Sequence, residues 1–253
     1  GAPFVVGAAP GEVDSARIAV NAQGDLFICW YEAGPGLVHS RARVGGVWEG
    51  VADLSAYGVR NKFPEIAAGP NLVYCVWMDS ASGYAYYADY SVRSRAFGAA
   101  WSSPRRITGD APAEEHPAVK VDSADVAHIV YTPWFSDETR SVRYVQGTSA
   151  GFSAAVDISS RGVHYPGLAL RGGDVYAVWK SDYGKVGANE RKAGVWGGEF
   201  AVPGSGPCDL PDIAVSAAGD KIYYVWDTGN PREIYVGVKT QVVLQPSASV
   251  HAV

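Results

Sequence analysis

The sequence predicts an all-β chain folded as a five-bladed β-propeller of four-stranded blades. Three observations carry this. A short inner-strand pattern, apolar-Pro-x-Ile/Leu/Val-x-Val, recurs five times. Each copy is followed by a β-rich segment ending in an aromatic residue, at Trp30, Trp77, Tyr131, Trp179 and Trp226, in steps of 47 to 54 residues. An aromatic after a small or branched residue then marks an outer strand, at Trp48, Trp101, Phe152 and Trp196. A fixed period of this length filled with strand formers is the signature of a propeller, because one blade cannot bury both its faces alone.

The elements follow in order. The inner strands open at Ala16-Arg17-Ile18, Phe63-Pro64-Glu65, His116-Pro117-Ala118, Tyr165-Pro166-Gly167 and Leu210-Pro211-Asp212. Their prolines sit where a missing N–H costs least. In the second repeat the four strands are expected at 65–68, 72–77, 84–88 and 101–107. Glycine and asparagine mark the hairpins, as at Gly34-Pro35-Gly36 and Gly229-Asn230. No outer-strand marker follows Val238. Phe4-Val5-Val6 aligns with Phe200-Ala201-Val202, so the N-terminal strand, residues 2–7, is expected to close the fifth blade. The propeller then spans 1–239. Residues 240–253 are left as a tail, an extra strand or a linker, with Gln241-Val242-Val243-Leu244 strand-like.

Composition narrows the function. The net charge is −5 and there are no basic runs, which excludes nucleic acid as an expected partner. No apolar run is long enough for a spanning helix, so no membrane insertion is expected. The chain begins at Gly1 and its single methionine is Met78, as expected of a processed chain. With little lysine and much Tyr, Trp, Ser and Ala, it reads as extracellular or cell-surface. Three cysteines cannot form a full disulfide set. Cys29 and Cys75 are expected as small core residues, and Cys208 as an exposed loop residue.

The repeat, as in Pro211-Asp212-Ile213-Ala214-Val215, Trp226-Asp227 and Ile234-Tyr235, resembles the sialidase-type (BNR-like) propeller repeats. The resemblance implies blades around a channel, with ligands on the face built by the loops that enter the inner strands and leave the second strands. The chain departs from that family in its five repeats, where sialidases have six blades. It also lacks the Asp-box Ser-x-Asp-x-Gly-x-x-Trp. Gly46-Val47-Trp48 and Gly194-Val195-Trp196 keep only Gly and Trp. Arg17-Ile18-Ala19 and Asp14-Ser15-Ala16 are faint echoes of a sialidase arginine and an arabinanase aspartate.

If the loops project as in that family, one face gathers Asp14, Glu32, Arg60, Lys62, Asp79, Glu115, His116, His164, Lys180, Asp209 and Asp227. A glycosidase needs two carboxyl groups about 5–5.5 Å or about 6.5–9.5 Å apart. Asp14 with Asp209 and Glu115 with Asp227 are the pairs that could qualify. Loop carboxylates more often cap turns, so no catalytic residue is assigned. His116 and His164 lack a third matching ligand, so no metal and no cofactor is expected. The non-repeat aromatics Trp134, Phe135, Tyr183 and Tyr31 are the better contact residues, since sugars stack on exposed rings. The expected ligand-binding set is these four with His116, His164, Lys62 and Asp209.

The leading expectation is non-catalytic binding of glycans or surface polysaccharide. One alternative is a subunit of an extracellular filament or adhesive layer, a homo-oligomer or polymer joined by terminal-strand donation. The other is a glycoside hydrolase of sialidase- or arabinanase-like type.

Overall fold

The computed structural model describes residues 5–7, 11–56, 60–80, 89–107, 116–132, 141–160, 163–181, 184–228 and 233–241. They form a β-propeller, with every regular element a strand. The first sheet holds β1 (Val13–Val20), β2 (Leu26–Glu32), β3 (Leu37–Val44), β4 (Val47–Trp48) and β5 (Ala52–Asp53). The second holds β6 (Arg60–Ala68), β7 (Leu72–Ser80), β8 (Asp89–Ala96) and β9 (Arg105–Arg106). The third holds β10 (Ala118–Val121), β11 (Ala127–Tyr131), β12 (Arg143–Thr148), β13 (Gly151–Phe152) and β14 (Val156–Asp157). The fourth holds β15 (Val163–Arg171), β16 (Asp174–Ser181), β17 (Val186–Lys192), β18 (Val195–Trp196) and β19 (Phe200–Ala201). The fifth holds β20 (Asp209–Val215), β21 (Lys221–Asp227) and β22 (Ile234–Thr240).

Each sheet is one sequence repeat, paired antiparallel in chain order except that β5, β14 and β19 return to pair with β3, β12 and β17. Alternation in the second strand points one side chain set at the preceding sheet and the other at the following one. Trp77, Cys75 and Val73 pack back onto Phe27, Cys29 and Val38 of the first sheet. Tyr74 and Val76 pack forward onto Ile129 and Tyr131. Trp179 and Ala177 pack back onto Val130 and Tyr144. Trp226, Tyr224 and Ile222 pack onto Tyr176, Val178 and Ala188. Four apolar joints therefore link five sheets. Cys29 and Cys75, on opposite faces of their own sheets, meet in the first joint as free, buried thiols.

Polar side chains reinforce the joints. The Asp125 carboxylate accepts from the backbone N–H of Asn71 at 2.8 Å and of Leu72 at 3.0 Å, and from Asn71 Nδ2 at 2.7 Å. Arg95 donates to both carboxylate oxygens of Glu49, at 2.7 and 2.8 Å.

Two expectations need correction or relocation. The third strand of the second repeat is β8, from Asp89, because β7 runs on to Ser80 and pairs Asp79 with Asp89. The residues first assigned to it, 84–88, lie outside the described residues. Cys208 is only 5% exposed, since its loop folds onto the fourth joint beside Val202 and Trp226. At the N-terminus, Val6 offers its carbonyl to Arg41 Nη1 and Gly7 lies against the Trp30 ring, both on the first sheet. The described part of the fifth sheet has three strands, with β22 at its outer edge. Of the tail, Thr240 ends β22 and Gln241 donates its N–H to the Asp220 carbonyl at 2.6 Å. Residues 242–253 lie outside the described set.

Candidate functional site at the channel

The inner strands enter the channel through the same irregularity. The pairing skips two residues between Asp14 and Arg17, Lys62 and Glu65, His164 and Gly167, and Asp209 and Asp212. Each skip is a β-bulge, two residues facing the one repeat tryptophan on the neighbouring strand. Its first residue is left-handed without being glycine: Ser15 at φ 53°, Phe63 at 52°, Tyr165 at 51° and Leu210 at 42°. Such a residue costs on the order of 1–3 kcal/mol and persists only where its surroundings hold it. Proline fits the next position in three of the four, at Pro64, Pro166 and Pro211, because an unpaired bulge residue needs no ladder N–H.

The bulges aim their side chains around the channel. The Phe63 and His116 rings lie 3.9 Å apart between centroids, and His116 lies 5.7 Å from Tyr165. His164 lies 6.2 Å from Tyr165. The result is an arc of rings across the second, third and fourth sheets, continued by exposed Leu210 on the fifth. Below it the channel opens into a cavity of about 680 Å³, lined by His116, Tyr165 and Leu210 and by charged Arg17, Glu65, Lys120 and Asp212. Glu65 bonds Arg17 Nε at 2.5 Å. Burial raises the Glu65 carboxyl above its ordinary range, and Arg17 offsets that only in part.

A second polar group sits at the mouth between the fourth and fifth sheets. Lys180 Nζ donates to Asp209 Oδ1 at 3.1 Å, and His164 and Asp227 are the strand partners of these two residues. Partial burial opposes the Lys180 charge, but the Asp209 hydrogen bond and charge outweigh it and raise the ammonium pKa. One Asp227 carboxylate oxygen is buried without a hydrogen-bond partner among the described residues.

The expected residues divide accordingly. Lys62, His164 and Asp209 fall at bulges on the channel mouth, His164 and Asp209 around Lys180, while His116 lies in the ring arc just before β10. Tyr31 is a correction. It is 8% exposed, because β2 continues through it to Glu32 and pairs it with Val38, so it lies in the sheet and not in a loop. Trp134, Phe135 and Tyr183 lie outside the described residues. Contributors outside the expected set are Phe63, Tyr165 and Leu210 at the bulges and Glu65, Lys120 and Asp212 in the cavity wall. Their signal was available, since Phe63 and Tyr165 precede the repeat prolines and Arg17, Glu65 and Asp212 share one repeat position.

No protein-family model matches the chain. No curated protein matches it either. Solved structures do match, and they establish the fold as a sialidase-like β-propeller. A protein of unknown function from Dyadobacter fermentans superposes with a TM-score of 0.64 at 10% identity, covering 90% of this chain and 79% of that one. A Trypanosoma rangeli sialidase gives 0.61 at 9% identity, covering 93% of this chain and 49% of that one. A Penicillium chrysogenum α-L-arabinanase complexed with arabinobiose gives 0.60 at 13% identity, covering 89% and 76%. The chain thus spans about half the length of the sialidase.

Proposed function

We propose that the protein binds a glycan or surface polysaccharide at the channel mouth without turning it over. The observation that carries this is the arc of Phe63, His116 and Tyr165, with Phe63 and Tyr165 on strained bulges, above a cavity that Arg17, Glu65, Lys120 and Asp212 help to line. A sugar has an apolar C–H face that suits an aromatic ring and hydroxyls that suit fixed polar groups. Asp209 and Lys180 stand beside the arc to receive those hydroxyls. The sialidase and the arabinanase among the similar structures add support for a carbohydrate ligand.

The test is calorimetric titration with a panel of oligosaccharides. Tyr165→Ala is expected to weaken binding by about tenfold or more, as loss of a central aromatic contact does, while Tyr165→Phe keeps the affinity. Equal affinity in wild type and the alanine variant would remove the arc from the site.

One observation favours glycoside hydrolysis as a second reading. Glu65 is a carboxyl held toward its protonated form by burial, with Asp212 near enough to push in the same direction. That is the condition a general acid needs. Release of reducing sugar by wild type but not by Glu65→Gln would establish hydrolysis, and no release across the panel leaves binding alone.

A further inference from the structure

Repeat-equivalent residues have opposite environments at the two ends of the array. Ile18, Ile66, Val119, Leu168 and Ile213 each pair with the residue two before the repeat aromatic. The last four are buried against the preceding sheet, whereas Ile18 is 63% exposed. At the other end, Val38 and Val186 are fully buried, while Ile234, at the same place in β22, is 79% exposed. Val20 beside Ile18, and Val236 and Val238 beside Ile234, are exposed with them. Joint-forming faces are thus present on both outer sheets: Trp30 on the first is covered at its ring by Gly7, while Ile18, Val20, Ile234, Val236 and Val238 stand exposed.

The N-terminal residues supply the second observation. Asn189 Nδ2 donates to the Ile158 carbonyl at 2.8 Å, from the fourth sheet to the end of the third sheet's outer strand. Arg41 occupies the place of Asn189 in the first sheet and donates to the Val6 carbonyl in the same way. Val6 therefore stands where the outer strand of a preceding sheet would end. Among the described residues no strand of the fifth sheet pairs with it.

We propose that the opening between the fifth and first sheets is a slot for one further sheet of this chain's own repeat type. Its two faces meet Ile234, Val236 and Val238 on one side and Ile18 and Val20 on the other. Its outer edge is supplied by the N-terminal residues. Its inner strand completes the wall of the channel, whose cavity is bounded by Ile18 and Ile28 on this side. This holds whether or not the channel binds a glycan.

Two variants test it. In the 253-residue chain, Ile18→Lys and Ile234→Lys are expected to leave Tm within about 1 °C of wild type and to reduce binding of an apolar dye, with a monomer mass by light scattering. A chain in which a second copy of residues 203–241 replaces 242–253 is expected to gain several degrees in Tm and lose dye binding. Ile18→Lys in that longer chain should erase the gain. A Tm loss in the monomeric single variants would mean that the fifth sheet already closes on the first. The same loss with a dimer mass in wild type would mean that a second copy fills the slot. Either result, or a longer chain no more stable than wild type, overturns the proposal.

Discussion

Arg17 of the first sheet and Glu65 of the second meet at 2.5 Å at the same repeat position, across the joint between their strands. The pair shares the cavity with Lys120 and Asp212, so it is structural and electrostatic at once. Burial is the largest influence on Glu65 and raises its folded-state pKa above 4.5. A raised carboxyl takes up a proton more readily in the folded than in the unfolded chain. Stability should therefore fall as pH rises from about 4.5 through the folded pKa. Glu65→Gln removes this dependence. Urea unfolding of both proteins from pH 4 to 7 should show the glutamine variant gaining relative to wild type with rising pH. Parallel curves would mean that Arg17 fully compensates the buried charge.

Asp125 clamps the second and third sheets through three accepted hydrogen bonds, from a left-handed turn position at φ 60°. Asp125→Ala leaves the Asn71 and Leu72 amides without these acceptors and should cost about 1–3 kcal/mol. Asp125→Gly relieves the backbone strain but loses the same acceptors. An alanine variant as stable as wild type would show that the clamp contributes nothing.

Gly187 lets β17 pass directly over Trp179. A Cβ there would stand 2.2 Å from the indole nitrogen. The ring is fully buried in the joint between the third and fourth sheets, so it has nowhere to retreat. Gly187→Ala should cost about 1–3 kcal/mol by overpacking, read as a lower Tm. The equivalent places hold His39, stacked on Trp30, and Tyr235, stacked on Trp226, so the constraint is particular to the fourth sheet.

What could be read from the sequence was whatever repeats. Trp77, Trp179 and Trp226 announced the second strands because their spacing is periodic and each fills the equivalent place in its own joint. Val47-Trp48, Gly151-Phe152 and Val195-Trp196 announced outer strands for the same reason. The bulges were hidden, since a skipped pair leaves composition unchanged while moving every later side chain to the other face. Glu65 and Asp212 consequently read as ordinary strand residues and not as cavity walls. Tyr31 misled because only pairing shows that β2 runs past the repeat tryptophan. Cys208 misled because loop residues are exposed unless a neighbouring joint covers them.

Cys208 turns that last point into a measurement. It lies next to Asp209 in the chain, at the proposed ligand mouth, and burial pushes its thiol up to about 11. An ordinary thiol at 9.0 is about 9% ionised at pH 8 and one at 11 about 0.1%. Only the thiolate reacts with iodoacetamide, so ionisation alone should slow Cys208 by about a hundredfold relative to the unfolded chain. Lack of access should slow it further. Its rate should go on climbing above about pH 10, where an ordinary thiol at 9.0 has levelled off. The site can be read by mass spectrometry, since Cys29 and Cys75 lie in a different joint and are buried more deeply. A ligand seated on Asp209 and Lys180 should hold the Cys208 loop closed and lower the rate again. Labelling as fast as in urea would mean that the loop is open in solution, and the polar cluster around Lys180 would then not be a preformed site.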